Sequence, residues 1–315
     1  MSPPLPLPGD GQAADAVPLP RDGQAGDAVP LPRGGHPGGR LSPPGDRRAS
    51  RRLTRWLTRW LVPAAGIAAW QLWASWHGSP FFPPPSRIAA AGYQLWFSGP
   101  ARRLLLTPAA TANLLPSLGR VAGGLASAVA AGVPAGIALG RSRALDELAG
   151  PLVHFARSLP PVALVTVFIA VLRVGTEMEV AFIAFGATWP ILVNTADGAR
   201  SLDPVQVQTA RVFRLTAAQR LAWLILPAAA PRFLAGLRIS ASLSLVLMVT
   251  AELISASNGI GYQMATAVSG FNLTGLWAGI ALLAVLGYVL NAALLAAEHR
   301  LLAWHHAVRA LDTGT

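Results

Sequence analysis

Glu252 is the only acid inside any of the long apolar runs of this 315-residue chain. An ionisable group at such a depth is costly unless it is paired or functional. It stands fourteen residues beyond Arg238, about 20 Å along a helix, toward the outer half of its run. There it can gate a passage, pair with an arginine, or reach an outer interface if the run is displaced by a turn; it is a poor direct ligand for an anion. Arg157 stands in another apolar stretch and is followed by Pro160 and Pro161. A double proline interrupts the helical hydrogen-bond ladder, and a broken helix at membrane depth lines a cavity or is buried in protein. Asn194 adds an amide near the inner end of a further run. These are groups for a passage rather than for a catalyst. There is no HExxH, GxSxG or paired carboxylate, so the common hydrolytic constellations are missing. Without cysteine there is no thiolate nucleophile or thiolate metal site. The histidines form no pair at helical ligand spacing. All 25 basic residues are arginine, so the phosphate-binding lysine of a P-loop cannot be present.

The elements that must position these groups are apolar helices. The chain is 53% hydrophobic and 12% charged, far from the roughly one-quarter charged composition of soluble domains. Six spans are expected, near residues 60–76, 121–140, 148–172, 180–196, 233–255 and 275–297. The second is uncharged for twenty residues, about 30 Å of helix, the thickness of a hydrocarbon core. Gly124, Ala128, Gly132, Gly136 and Gly140 recur along it every four residues, a small-residue face that lets another helix approach closely.

The arginines between the runs set the orientation, since short cytoplasmic loops are enriched in them. Those at 47–59, 141, 143, 200–238, 300 and 309 fall on one side. Arg87, Arg102, Arg103, Arg120 and Arg173 fall on the other. This predicts an all-α polytopic membrane protein with both termini cytoplasmic. The net charge of +11 is then explained by topology and anionic headgroups rather than by nucleic acid.

Residues 1–46 are rich in Pro and Gly, with a twelve-residue unit repeated from Pro6, Pro18 and Pro30; such a segment buries too little to order itself. Residues 47–111 form a basic anchor, the first span and an external interfacial helix N-capped by Ser86. Residues 112–297 form the core, and residues 298–315 a cytoplasmic tail. Glu177 and Glu179 are expected in an external loop.

The longest cytoplasmic connection, residues 196–232, carries Arg211, Arg214, Arg220 and Arg232. Asp203-Pro204 reads as the start of one short helix. Thr216 with Gln219 reads as a capping box opening a second, with a turn near Arg214 and Pro227 and Pro231 ending it. Ordinary connections are only a few residues long. A capped helix pair is a docking surface rather than a linker.

The stretch QTARVFRLTAAQRLAWLILPAAAP resembles the cytoplasmic EAA loop of permease subunits of binding-protein-dependent ABC importers, whose motif runs Glu-Ala-Ala-x3-Gly-x9-Ile-x-Leu-Pro. Ala210, Leu226 and Pro227 match it; Gln208, Thr209, Arg214 and Leu224 stand where Glu, Ala, Gly and Ile are usual. SLGRVAGG, GLRISASLSLVLMVTAELISASNGIGY and LLAAEHRLL are similar to the branch serving nitrate, taurine and aliphatic sulfonates.

The resemblance implies the type I importer permease fold in the plasma (inner) membrane. It also implies a second permease copy, an extracytoplasmic substrate-binding protein, and a separate ABC ATPase subunit that docks on Gln208, Thr209, Ala210, Arg211, Arg214, Thr216, Gln219, Arg220, Leu226 and Pro227. ATP-Mg would bind in that partner, and no cofactor in this chain. A small anion is the expected cargo, sulfonate or taurine before nitrate or bicarbonate. A neutral heterocycle such as a thiamin precursor is the alternative. A secondary transporter would more typically show repeated halves and several buried acids.

Overall fold

The computed structural model describes residues 46–103 and 105–302. The Pro/Gly-rich repeat and most of the C-terminal tail lie outside them, and with them the expected cytoplasmic placement of the two termini. Residues 1–57 form one unit, of which the described part is helical from Asp46, and residues 58–315 form the other.

Among the described residues every regular element is helical. The α-helices in chain order are α1 (Asp46–His77), α2 (Pro85–Gly92), α3 (Pro108–Arg141), α4 (Arg143–Ser158), α5 (Pro161–Leu172), α6 (Thr176–Arg200), α7 (Pro204–Val212), α8 (Ala217–Arg220), α9 (Leu226–Ser255), α10 (Ile260–Ser269) and α11 (Leu273–Leu301).

Four helices among the described residues are long and apolar enough to cross a membrane: α3, α6, the continuous Ala217–Ser255 and α11. The bent pair α4–α5 makes a fifth. The run expected as the first span lies in the second half of α1, where Trp, Gln71, Ser75 and His77 lower its mean hydropathy.

Local signals set most boundaries. Thr107 caps α3 by accepting from Ala110 N–H at 3.0 Å, Ser142 caps α4 and Asn272 caps α11. Two expected boundaries are different. Helix α2 starts after Pro84, not at Ser86. Ser86 N–H is instead satisfied at 3.0 Å by the side-chain oxygen of Gln71 on α1, whose amide donates back to the Ser86 hydroxyl at 3.1 Å. Nor do Pro227 and Pro231 end a helix. Residues 217–255 run on without interruption because a π-helical turn at Leu221–Ile225 precedes the prolines. Leu226 and Pro227 then fall at the start of the α-register, where a missing N–H costs least.

The core is a three-helix layer of α3, α6 and α9. Here the glycines act by absence. A methyl group on Gly124 would lie 2.5 Å from Ile183 Cγ2, on Gly136 2.6 Å from Leu192 O, and on Gly140 2.5 Å from Ala196 O. Gly132 abuts Ile191 and Thr188 in the same way, and Ala128 is fully buried. The α3 face therefore touches α6 backbone directly. Helix α6 repeats the device toward α9, with Gly186 under Leu247 and Gly198 under Ala229, and Gly236 of α9 receives Asn194. Ser240 adds a hydrogen bond to Ala187 O at 2.6 Å.

Helix α11 is apolar nearly all round yet buries only Ala278, Gly279 and Leu282, as a lipid-facing helix does. Trp70, Trp73, Phe82 and Trp277 form an aromatic cluster joining α1 to α11, and Trp277 Nε1 donates to Phe81 O at 3.0 Å.

Candidate functional site

At the end of the layer where α7 and α8 lie, arginines gather on the C-terminus of α6. Arg232 donates to Asp197 O at 3.0 Å and Arg141 to Ala199 O at 3.4 Å, cations placed on the negative end of a helix dipole. Arg200 pairs with Asp146 of α4, and Arg238 of α9 with Glu298 of α11.

From this end projects the loop 196–232, built as two capped helices. Asp203 accepts from Val205 N–H at 2.8 Å to start α7. The turn after α7 is a Schellman motif: Leu215 N–H reaches Ala210 O at 3.0 Å and Arg214 N–H reaches Arg211 O at 2.9 Å. That geometry puts the residue after the C-cap in the left-handed region, normally glycine; here Arg214 occupies it with φ of 51°. Thr216 and Gln219 then close a reciprocal capping box at 2.8 and 3.3 Å. Along the pair Ala210 is buried but Phe213 and Leu221 are exposed. Val212, Phe213 and Trp223 are 79%, 73% and 68% exposed, beside Arg211 and Arg214. Gln208 and Thr209 lie on α7, Arg220 ends α8, and Leu226 and Pro227 open α9.

The expected third span is two helices meeting at 97°. Pro160 is the N-cap of α5 and Pro161 its first residue, so the fixed proline φ and absent N–H begin a helix in a new direction. Against this elbow lies a cavity of about 290 Å³ that brings Arg157, Pro161 and Asn194 together with Trp189. Glu252 is not part of it.

Glu252 sits at the opposite end of the layer, 1% exposed. Arg120 Nη1 reaches its Oε1 at 2.7 Å, and the Arg120 guanidinium also pairs with Glu179. Arg120 donates further to Asn258 O at 3.0 Å and Asn258 Oδ1 at 2.7 Å. Ser117 Oγ lies 2.7 and 2.9 Å from the two Glu252 oxygens. Helix α10 has no cap of its own and is capped from other elements. Gly259 N–H donates to Asn113 Oδ1, Ile260 N–H to Ser117 Oγ and Gly261 N–H to Glu252 Oε2, all within 2.9 Å. Gly259 has φ of 119°, and a methyl there would lie 2.4 Å from Glu252 Cδ.

Three residues thus stand elsewhere than expected; one, Glu177, lies in the first turn of α6 rather than in a loop, though it is exposed. Arg120 is not an external-loop charge but lies within α3, 4% exposed; Glu179 is not solvated but lies in the first turn of α6, 1% exposed. Both flank apolar runs in sequence, and a residue bounding a run reads as interfacial when the helix overshoots it. Their opposite charges at the edges of neighbouring spans were the available signal.

Residues 132–303 match the model of the binding-protein-dependent transport system inner membrane component family. The chain belongs to this family. The permease is 30% identical over 229 residues to the taurine transport system permease protein TauC of Escherichia coli, covering 73% of this chain and 82% of that protein. It is 32% identical to the bicarbonate transport system permease protein CmpB of Synechococcus elongatus, covering 64% and 75%. Its fold matches a chain of the MetNI methionine ABC transporter in an inward-facing form with a TM-score of 0.53 at 17% identity, covering 60% of the permease and 94% of that chain. The permease is therefore a multi-pass inner-membrane protein with the type I ABC importer fold. Its family works with an ATPase subunit and a substrate-binding protein.

Proposed function

We propose that the permease forms the translocation pathway of an ATP-driven importer for a small oxyanion, taurine or another aliphatic sulfonate first, nitrate or bicarbonate next. The observation that carries the coupling role is the loop 196–232, where a rigid, doubly capped helix pair presents exposed Val212, Phe213 and Trp223 among arginines. Apolar side chains rimmed by charge mark a protein interface. A capped pair continuous with the 39-residue helix Ala217–Ser255 passes a push from an ATPase subunit into the membrane layer; a floppy loop would absorb it. ATP-Mg binds and is hydrolysed in that ATPase, with no cofactor in this chain. A binding protein delivers the cargo from outside, and two permease copies frame the pathway. The relatives named for taurine and bicarbonate support the oxyanion; a neutral heterocycle is the alternative cargo.

The test is uptake of radiolabelled taurine, nitrate or bicarbonate by the complete complex in proteoliposomes. Uptake should vanish when the ATPase nucleotide site is disabled. Uptake that persists on an ion gradient alone would make the chain a secondary transporter. Reversing charge at Arg211 and Arg220 together, both to Glu, should abolish co-purification of the ATPase while the permease still inserts. Normal co-purification would sink the docking role.

A further inference from the structure

We infer that the cavity at the α4–α5 elbow is an anion-binding station on the cytoplasmic half of the permease, selecting a compact oxyanion through Arg157, Trp189 and Asn194. This rests on the proposed reading of the chain as an oxyanion importer only for the identity of the cargo; the site itself follows from its donors.

The residues lining the cavity include one charged side chain, Arg157, and no carboxylate. Arg157 is exposed and makes no ion pair or hydrogen bond within the described residues, whereas Arg141, Arg200, Arg232 and Arg238, which reach α4, α6 and α11, each engage a carboxylate or carbonyl. Trp189 Nε1 is buried without an acceptor, and an indole N–H can only donate. Asn194 commits its amide to Pro190 O at 2.8 Å, which fixes the side chain and leaves a second N–H. With one guanidinium, no carboxylate and further N–H donors, the cavity of about 290 Å³ repels a cation and offers a small sulfonate, nitrate or bicarbonate several hydrogen bonds, with planar guanidinium geometry suited to paired oxygens. Asn194 and Trp189 stand six and eleven residues from Arg200, about 9 and 16 Å from the cytoplasmic end of α6, so the station is reached late in import. Helix α9 closes it with Ile239 and Leu243. The helix that carries the coupling push therefore also forms a wall of the station. An anionic lipid headgroup has the same chemistry as the cargo and is the competing source of the anion.

The chain has no cysteine, so Asn194→Cys is a single-cysteine reporter without further engineering. The full chain carrying it is placed in phosphatidylcholine nanodiscs. It is then labelled with an anionic sulfonatoethyl or a cationic trimethylammonioethyl methanethiosulfonate. The anionic reagent should react about tenfold faster or more than the cationic one, from the field of a nearby guanidinium. Adding Arg157→Gln should remove that preference, Arg157→Lys should keep it, and millimolar methanesulfonate should slow the anionic reaction. Equal rates for the two reagents, or an unchanged preference in Arg157→Gln, would overturn the station. Protection by phosphatidylglycerol in the discs but not by methanesulfonate would assign the cavity to lipid and likewise overturn it. The readout needs no ATPase. Sulfonate uptake by the complex without the labelling preference refutes the station alone; the preference with uptake of neutral cargo only refutes the proposed function alone.

Discussion

Arg120 shows how one side chain decides what its neighbours are for. Its guanidinium meets two carboxylates and the Asn258 carbonyl and side chain, and so ties α3 to α6, α9 and the start of α10. Removing one member of a buried ionic group strands the others, at about 3–5 kcal/mol. Arg120→Ala should therefore lower the stability of the permease in detergent by about that amount, measured by denaturant titration followed by tryptophan fluorescence. A midpoint equal to the parent's would show that the cluster has no energetic weight. Glu252→Gln should cost less, because an amide oxygen still accepts from Gly261 N–H and only the ion pair is lost. Glu252 was legible as an unusual group because acids are rare in apolar runs. Its partners were not: Ser117, Arg120 and Glu179 lie 135, 132 and 73 residues away in sequence, and no local rule links them.

Elements show the same division. The capping box at Thr216 and the start of α7 at Asp203 follow from residues three or fewer apart, so the helix pair was legible in sequence. Arg214 was legible only as a departure from glycine, and the Schellman hydrogen bonds explain why glycine is usual there. A left-handed non-glycine residue costs about 1 kcal/mol. Arg214→Gly should raise stability by about that much in the same titration, and an unchanged or lower value would show that the arginine is held by contacts that repay its strain. The four-residue spacing on α3 predicted a close helix neighbour, and the neighbour is α6. Gly136→Leu drives a side chain into Leu192 O, with the first added carbon already 2.6 Å from it. It should abolish monodisperse elution of the detergent-solubilised permease, whereas Gly119→Leu, with open space around it, should elute as the parent does. Equal behaviour of the two variants would remove the close-packing role. The π-helical turn before Pro227 was not legible. Proline rules forecast a stop, and only the register shift in the preceding turn lets the helix continue.

At the scale of the whole molecule, opposite ends of one three-helix layer hold the two specialised regions. The ion cluster locks α10 at one end, the capped helices α7 and α8 lie at the other, and the elbow cavity sits between, near the middle of α6. Helix α9 runs between them as part of the 39-residue helix Ala217–Ser255, with Glu252 in its last turn. On the proposed coupling role, a displacement of α8 reaches the cluster along one continuous helix. Loosening the cluster with Arg120→Lys, which cannot reach both carboxylates and Asn258 at once, should weaken the dependence of uptake on ATP hydrolysis in the full complex. The measured quantity is ATP consumed per molecule imported, and an unchanged ratio would confine the cluster to folding. The sequence by itself determined that the chain is built on long apolar helices, the small-residue face, the capped loop and the family, because each depends on composition or on spacing within a few residues. Only the tertiary structure decided that Arg120 and Glu179 are core residues, that the third run turns through 97°, and that Arg157, Trp189 and Asn194 share one cavity. Those facts arise where helices distant in sequence come within hydrogen-bond range, and nothing in the order of residues specifies which helices meet.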